Sequence, residues 1–214
     1  MKSALIIVDV QNDFCKGGAL EVKNGNEVIP VINKLVISDK FDFIFATQDW
    51  HPKNHKSFAS NHKNKKVYDV IKLNGITQVL WPDHCVQRRK GSRFHDDLNL
   101  GKKFKVFKKG TKPEIDSYSG FYDNDHKSST GLGEYLKKKN IKKVYVTGLA
   151  TDYCVKFTAL DSVIEGFTTF VIKDAVRGVN IDKNDSKKAF KEMKEKKVKI
   201  INSWDLLLKN KPSF

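Results

Sequence analysis

Apolar residues along this chain gather into short, unbroken runs. Residues 4–8 form one, halted by Asp9; residues 41–47 form the next and lead into Gln48, Asp49, Trp50 and His51. Residues 103–107 run into Lys108, Lys109 and Gly110, and residues 143–147 run into Gly148, Leu149, Ala150, Thr151 and Asp152. Residues 168–172, ending at Asp174, and residues 198–201 complete a set of six predicted strands. Between them, residues 27–36, 133–139, 152–164 and 183–196 are amphipathic and read as helices. Runs without alternation, separated by helices, predict a mostly parallel sheet covered on both faces. The expected fold class is α/β: three layers, α/β/α, with a central six-stranded sheet of Rossmann-like form.

Residues 49–100 interrupt this rhythm. They are polar, lack strong periodicity and hold five of the six histidines. A segment of that length without regular structure is usually functional. It reads as an insertion carrying a metal site or a lid, within one domain spanning residues 1–214.

Composition narrows the class. A chain of 214 residues, 39% hydrophobic and 30% charged, matches a soluble globular protein that folds without a disulfide or metal staple. No run approaches the ~18 apolar residues of a membrane span. The run at 4–8 is too short for the core of a secretory signal. The expectation is a cytoplasmic protein with no membrane partner. The net charge of +15 suggests an acidic partner such as nucleic acid. Yet 36 of the 40 basic residues are lysines spread along the chain, and only Arg88, Arg89, Arg93 and Arg177 are arginines. Phosphate and base recognition leans on the guanidinium fork, so the charge reads as a solvated surface and no nucleic-acid partner is expected. Cys15, Cys85 and Cys154 lie about 70 residues apart, a spacing of neither a disulfide framework nor a zinc knuckle.

Open parallel sheets bind ligands at the carboxyl ends of their strands. Those ends carry Asp9, then Asp49 and His51, then Lys109, then residues 150–154. Cys154 falls in the first turn of a predicted helix, after Thr151 and Asp152, which read as an N-cap and an acidic first-turn residue. There the helix dipole favours thiolate. Gly148 permits a tight turn, so the amides of Ala150 and Cys154 can face one spot and form an oxyanion hole. Asp9 can take the thiol proton and return it to a leaving amine, and Lys109 can hold both anions. Asp49 and His51, two apart, point the same way in extended backbone. His84 can add a third ligand, a set suited to catalytic Zn, Fe or Mn. Taken singly, each has an ordinary explanation. A lone cysteine is usually buried and structural, an Asp-x-His pair is unspecific, and charged residues at strand ends are common. His55 and His62 sit in polar loop sequence, His95 and His126 lack ligand-type neighbours, and Cys85 reads as structural.

Six motifs succeed one another between residue 4 and about residue 180. They are Asp9-Val10-Gln11-Asn12-Asp13-Phe14 with Gly17-Gly18, Asp49-Trp50-His51-Pro52, and Trp81-Pro82-Asp83-His84-Cys85-Val86. Lys109-Gly110, Asp116-Ser117-Tyr118-Ser119-Gly120-Phe121 and Gly148-Leu149-Ala150-Thr151-Asp152-Tyr153-Cys154-Val155 complete the set. In this order and spacing the chain resembles the nicotinamidase/pyrazinamidase branch of the isochorismatase-like hydrolases. The resemblance implies an isochorismatase-like fold and a catalytic triad of Asp9, Lys109 and Cys154. It implies one divalent metal ion, zinc first and iron or manganese otherwise, on Asp49, His51 and His84 with waters completing the shell. It implies an oxyanion hole from the amides of Ala150 and Cys154 beside a cis Leu149–Ala150 peptide. Phe14, Trp81, Tyr118 and Leu149 would surround the pyridine ring. Some relatives add a histidine or acid as a fourth ligand after the Asp-x-His pair. Here Ser57 stands near that place and His55 two residues earlier, so serine and water are the open choices.

The implied reaction converts nicotinamide to nicotinic acid and ammonia through a thioester, in NAD salvage, with pyrazinamide as a second substrate. The partner is then a small molecule, and the protein a monomer or a homo-oligomer. A metal-free cysteine amidase of the same superfamily, acting on an N-carbamoyl or ureido compound, would share Asp9, Lys109 and Cys154. It would have no use for Asp49, His51 and His84. Isochorismate hydrolases lack the cysteine nucleophile, and a nucleic-acid-binding role explains none of the motifs at the strand ends.

Overall fold

A computed structural model of the protein describes residues 1–208. In chain order it contains β1 (Lys2–Val8), α1 (Val28–Ile37), β2 (Phe43–Asp49), β3 (Val70–Leu73), β4 (Ile76–Val79), β5 (Phe104–Lys109) and α2 (Leu132–Lys138). Then come β6 (Ile141–Leu149), a π-helical turn (Thr151–Val155) that runs into α3 (Lys156–Ile164), β7 (Thr168–Arg177), α4 (Asp185–Glu195), β8 (Lys199–Ile201) and α5 (Trp204–Leu207). Six strands form one sheet in the order β5-β2-β1-β6-β7-β8, with every neighbouring pair parallel. Among the described residues, no helix is long and apolar enough to cross a membrane.

The unbroken apolar runs have a direct cause. In β1, Ala4, Ile6 and Val8 face the side covered by α2, α3 and α4, where they meet Leu136, Ala159 and Met193. Leu5 and Ile7 face the opposite side, against Ile32 and Leu35 of α1. A strand buried on both faces has no polar alternation to show. The three-layer expectation therefore holds, and the sheet is parallel throughout.

Chain direction positions the site. The path from β1 through β2 to β5 runs toward one edge, and the path from β6 through β7 to β8 runs toward the other. The two halves diverge between β1 and β6, and such a switch point opens a crevice at the carboxyl ends of the strands. Pairing is in register there, with Asp49 opposite Lys109 and Val8 opposite Gly148. Both Asp49 and Lys109 are the last residues of their strands, later than the pattern of apolar residues alone places the strand ends.

The insertion departs from the expectation of irregular chain. Within it, β3 and β4 pair as an antiparallel hairpin. Asn74 (φ 51°) and Gly75 (φ 83°) make the two-residue turn that Asn-Gly favours. The turn signal is visible in the sequence, but each strand is only four residues long and mostly half-exposed.

One close approach depends on glycine. Gly148 has φ 103°, and a Cβ there would lie 2.0 Å from the Val8 carbonyl oxygen. Replacing Gly148 with Ala forces β1 and β6 apart at the ends that carry Asp9 and the Cys154 turn. We expect Gly148→Ala to lower the unfolding free energy by more than about 3 kcal/mol. Urea denaturation checks this, and an unchanged midpoint would contradict it.

Candidate active site

Four strand ends deliver their side chains to one buried point. The Lys109 ammonium, 1% exposed, lies 2.5 Å from Asp49 Oδ1, 2.9 Å from Asp9 Oδ2 and 3.3 Å from Cys154 Sγ. It also donates to the Ser117 carbonyl at 2.9 Å. Burial opposes the charge on Lys109, but Asp49 and Asp9 overcome this and hold its pKa well above the ordinary lysine value. Burial likewise pushes the Asp49 carboxyl up, and Lys109 and His51 more than offset it, leaving the group well below the usual carboxylate range. For Asp9 burial prevails over Lys109, and its pKa is raised.

Cys154 corrects an expectation. Burial drives its thiol well above the usual value, and Lys109 offsets only part of the rise. The resting group is a neutral thiol, so attack needs a base at hand. Asp9 is that neighbour: a carboxylate oxygen of Asp9 and Cys154 Sγ lie within 4.8 Å of each other. Thr47 Oγ1 donates to Asp9 Oδ1 at 2.7 Å, which leaves Oδ2 facing the ammonium with no other partner.

The turn that carries Cys154 also differs from its expected form. The cap position is Ala150, in extended backbone, and Thr151 and Asp152 are the first helical residues. The Asp152 carboxylate turns away from its own helix and accepts the backbone N–H groups of Val179 and Asn180. The Leu149–Ala150 peptide is cis. Ala150 and Cys154 border the same cavity, as an oxyanion hole between their amides requires.

Asp49 Oδ2 faces the second group. His51 Nε2 lies 3.4 Å from it and His84 Nε2 3.7 Å. His51 Nδ1 lies 2.9 Å from the Gly110 carbonyl and His84 Nδ1 2.8 Å from the Pro82 carbonyl. A carbonyl only accepts, so each ring carries a proton on Nδ1 and turns its Nε2 toward Asp49. Two imidazoles and one carboxylate oxygen converging in this way suit a divalent ion of the Zn, Fe or Mn type. The approach of His51 to Gly110 requires glycine, since a Cβ there would fall 2.3 Å from the ring. Gln11 fixes Asp49 from behind: Nε2 donates to the Asp49 carbonyl and Oε1 accepts its N–H, each at 2.8 Å.

Ser57 and His55, near the expected fourth-ligand place, face each other. Ser57 Oγ and His55 Nδ1 bond each other at 2.7 Å, and His55 Nε2 donates to the Ile115 carbonyl. His55 also packs on His51, ring centres 4.3 Å apart, and burial holds its pKa down at about 4.

Above this floor lies a narrow cavity. Phe14, Leu20, Trp81, Tyr118, Tyr153 and Val179 form its apolar walls, and Asp49, His84, Asp116 and Cys154 its polar end. Trp81 Nε1 donates to the Tyr118 hydroxyl at 3.1 Å, locking two of the walls together. Leu149 does not line it; its side chain belongs to the core beneath α1. Sequence reasoning missed Leu20, Tyr153, Val179 and Asp116. Tyr153 and Asp116 lie inside two of the six motifs, whereas nothing near Leu20 or Val179 marks them as walls. A wider, open groove runs along α4 and is lined mainly by lysines, without a cysteine, carboxylate or imidazole. The chemistry is not there.

Comparison with known proteins agrees with this geometry. Residues 3–205 match the model of the isochorismatase domain. The chain is 47% identical over 192 residues to a protein of Escherichia coli (strain K12) named nicotinamidase, covering 89% of this chain and 90% of that one. A solved nicotinamidase/pyrazinamidase structure of Acinetobacter baumannii superposes with a TM-score of 0.92 at 46% identity, covering 96% of this chain and 98% of that one. A pyrazinamidase of Pyrococcus horikoshii, solved in complex with zinc, superposes with a TM-score of 0.78 at 36% identity, covering 94% and 99%. The chain belongs to the isochorismatase domain family.

Proposed function

We infer that this protein is a nicotinamidase, a cysteine amidohydrolase that converts nicotinamide to nicotinic acid and ammonia. The observation that carries the reading is the buried meeting of Lys109 with Asp9, Asp49 and Cys154 at the floor of an aromatic cavity. The similarity to the E. coli nicotinamidase supports the same substrate.

The flat ring stacks between Phe14, Trp81 and Tyr118, with its carboxamide carbon over Cys154 Sγ. Asp9 accepts the thiol proton as the sulfur attacks, so the C–S bond forms without a free thiolate at rest. Lys109 balances the charge that Asp9 gives up and Cys154 gains. The carbonyl oxygen, now anionic, is held by the amides of Ala150 and Cys154. Asp9 returns its proton to the nitrogen, the C–N bond breaks and ammonia leaves behind a thioester. Water, deprotonated by Asp9, attacks that thioester; the C–S bond breaks, Asp9 returns the proton to the Cys154 sulfur, and nicotinic acid is released. Asp49, His51 and His84 would hold a divalent ion, zinc being our first choice, and when bound it would supply a Lewis-acid centre for the ring nitrogen. Cys15, Cys85 and Cys154 are all free, which suits a reducing cytosol. The substrate is neutral, so binding does not draw on the lysine-rich surface.

A metal-free amidase would share the cysteine, the acid and the lysine. The two Nε2 atoms facing Asp49 favour the metal-dependent reading.

Ammonia release from nicotinamide tests the proposal. Cys154→Ala is expected to lower kcat by roughly 10⁴-fold or more, and retained turnover would refute covalent catalysis. His84→Ala is expected to purify with less than one equivalent of divalent metal and a rate reduced about 100-fold. Metal analysis of the wild type showing no divalent ion, with full activity in chelator, would favour the metal-free amidase. Lys109→Met leaves two buried carboxylates facing each other, and should destabilise the fold by about 3–5 kcal/mol at neutral pH. Thermal and urea unfolding measure that loss.

A further inference from the structure

We propose that Asp152 is a positioning residue that clamps the segment after β7 so that Val179 becomes a fixed, selectivity-setting wall of the ring cavity. The proposal deepens the nicotinamidase reading and rests on it for the identity of the ligand.

Asp152 is 4% exposed, and among the described residues no basic side chain pairs with it within 4.0 Å. A carboxylate so buried needs donors, and it finds them in one distant stretch of backbone. Oδ1 accepts the Val179 N–H at 2.9 Å and Oδ2 accepts the Asn180 N–H at 2.7 Å. Charge-assisted bonds of this kind are the strong ones. The same stretch is tied from its other side, where Asn180 Oδ1 accepts the Ser186 N–H of α4 at 2.9 Å. Gly178 completes the fit, since a Cβ there would lie 2.0 Å from Ser186 Oγ and 3.1 Å from Asp152 Oδ1.

The residue held between these ties is Val179, which lines the cavity together with Cys154 and Tyr153. Asp152 stands two positions before Cys154 on the same turn. The clamp therefore couples the place of the wall to the place of the nucleophile. In this scheme the flat ring of a heteroaromatic carboxamide lies between them, and an added group on the ring edge that meets Val179 is refused. Asp152 touches neither the reacting atoms nor the ring in this scheme; it acts through Val179.

The test uses Asp152→Asn, Asp152→Ala, Val179→Ala and the Asp152→Asn/Val179→Ala double variant, with kcat and KM for nicotinamide and for a ring-methylated nicotinamide. The asparagine variant keeps the size but offers one acceptor where the carboxylate offers two. We expect it to raise KM about tenfold and change kcat by less than about threefold, because the fraction of molecules with a formed wall falls. Asp152→Ala and Val179→Ala should each narrow the preference for the unsubstituted ring by about tenfold. The double variant should lose no more than the single ones, since both act on one wall. Amide hydrogen exchange at Val179 and Asn180 should quicken in the Asp152 variants. A fall in kcat at constant KM, additive losses in the double variant or unchanged exchange at the two amides would each overturn the proposal. Should the wild type fail to hydrolyse nicotinamide, the functional reading fails, while the exchange experiment still decides the clamp. If Asp152→Ala does not fold, Asp152→Asn carries both readouts.

Discussion

An ammonium group sealed from water stays charged only where anions surround it, and Lys109 is sealed by the architecture of the sheet. Its hydrogen bonds go to Asp49, the Ser117 carbonyl and Cys154, and the Asp9 carboxylate 2.9 Å away supplies the second negative charge. Breaking any one of these contacts leaves a buried charge without its partner. The arrangement thus orders far more than itself. It holds the ends of β2 and β5 together, aims Asp9 toward the thiol and splits the work of Asp49, one oxygen on the lysine and the other on the two imidazoles. Because Asp49 belongs to both groups, the proton-transfer apparatus and the metal donors form one electrostatic unit.

Much of this was legible in the chain. The six strands, the four longer helices and the residues at the strand ends can be read from apolar runs that stop at charged or glycine-bearing segments. Asp9, Asp49, Lys109 and Cys154 converge because a parallel sheet places the carboxyl ends of all its strands on one rim. The features that escaped did so for physical reasons. The hairpin strands are short and mostly half-exposed, so they lack the unbroken apolar signature of the main sheet. The neutral state of Cys154 depends on burial by distant residues, which a helix-dipole argument ignores. The fates of Ser57 and Leu149 turn on side-chain direction: Ser57 spends its hydroxyl on His55, and Leu149 points under α1. Sequence spacing carries no information about either choice.

The insertion shows why a long polar segment need not be loose. Asp13 Oδ2 accepts the Cys85 N–H at 2.7 Å, and Gln11 binds both Asp49 and the Ser92 carbonyl. These side chains come directly after β1, so the first strand reaches across to hold the chain that delivers His84. Gln78 of the hairpin donates to Asp116 and to the Tyr118 hydroxyl, fastening the hairpin to the cavity wall on the segment after β5. Polar residues here do for the insertion the work that apolar packing does for the sheet.

The in-register rim also sets a scale. Neighbouring strands lie about 4.8 Å apart, so the backbone spacing of the strand ends that carry Asp9, Asp49 and Lys109 is set by the hydrogen-bond repeat rather than by loop folding. A ruler of that kind has no intermediate marks. Sliding β5 by one residue along β2 would turn Lys109 to the other face of the sheet, so the catalytic floor can be kept or lost but not gradually adjusted. Change in this protein must therefore fall on the walls, where Leu20, Tyr153 and Val179 stand on chain outside the sheet. Substrate range is the property this fold leaves free to vary.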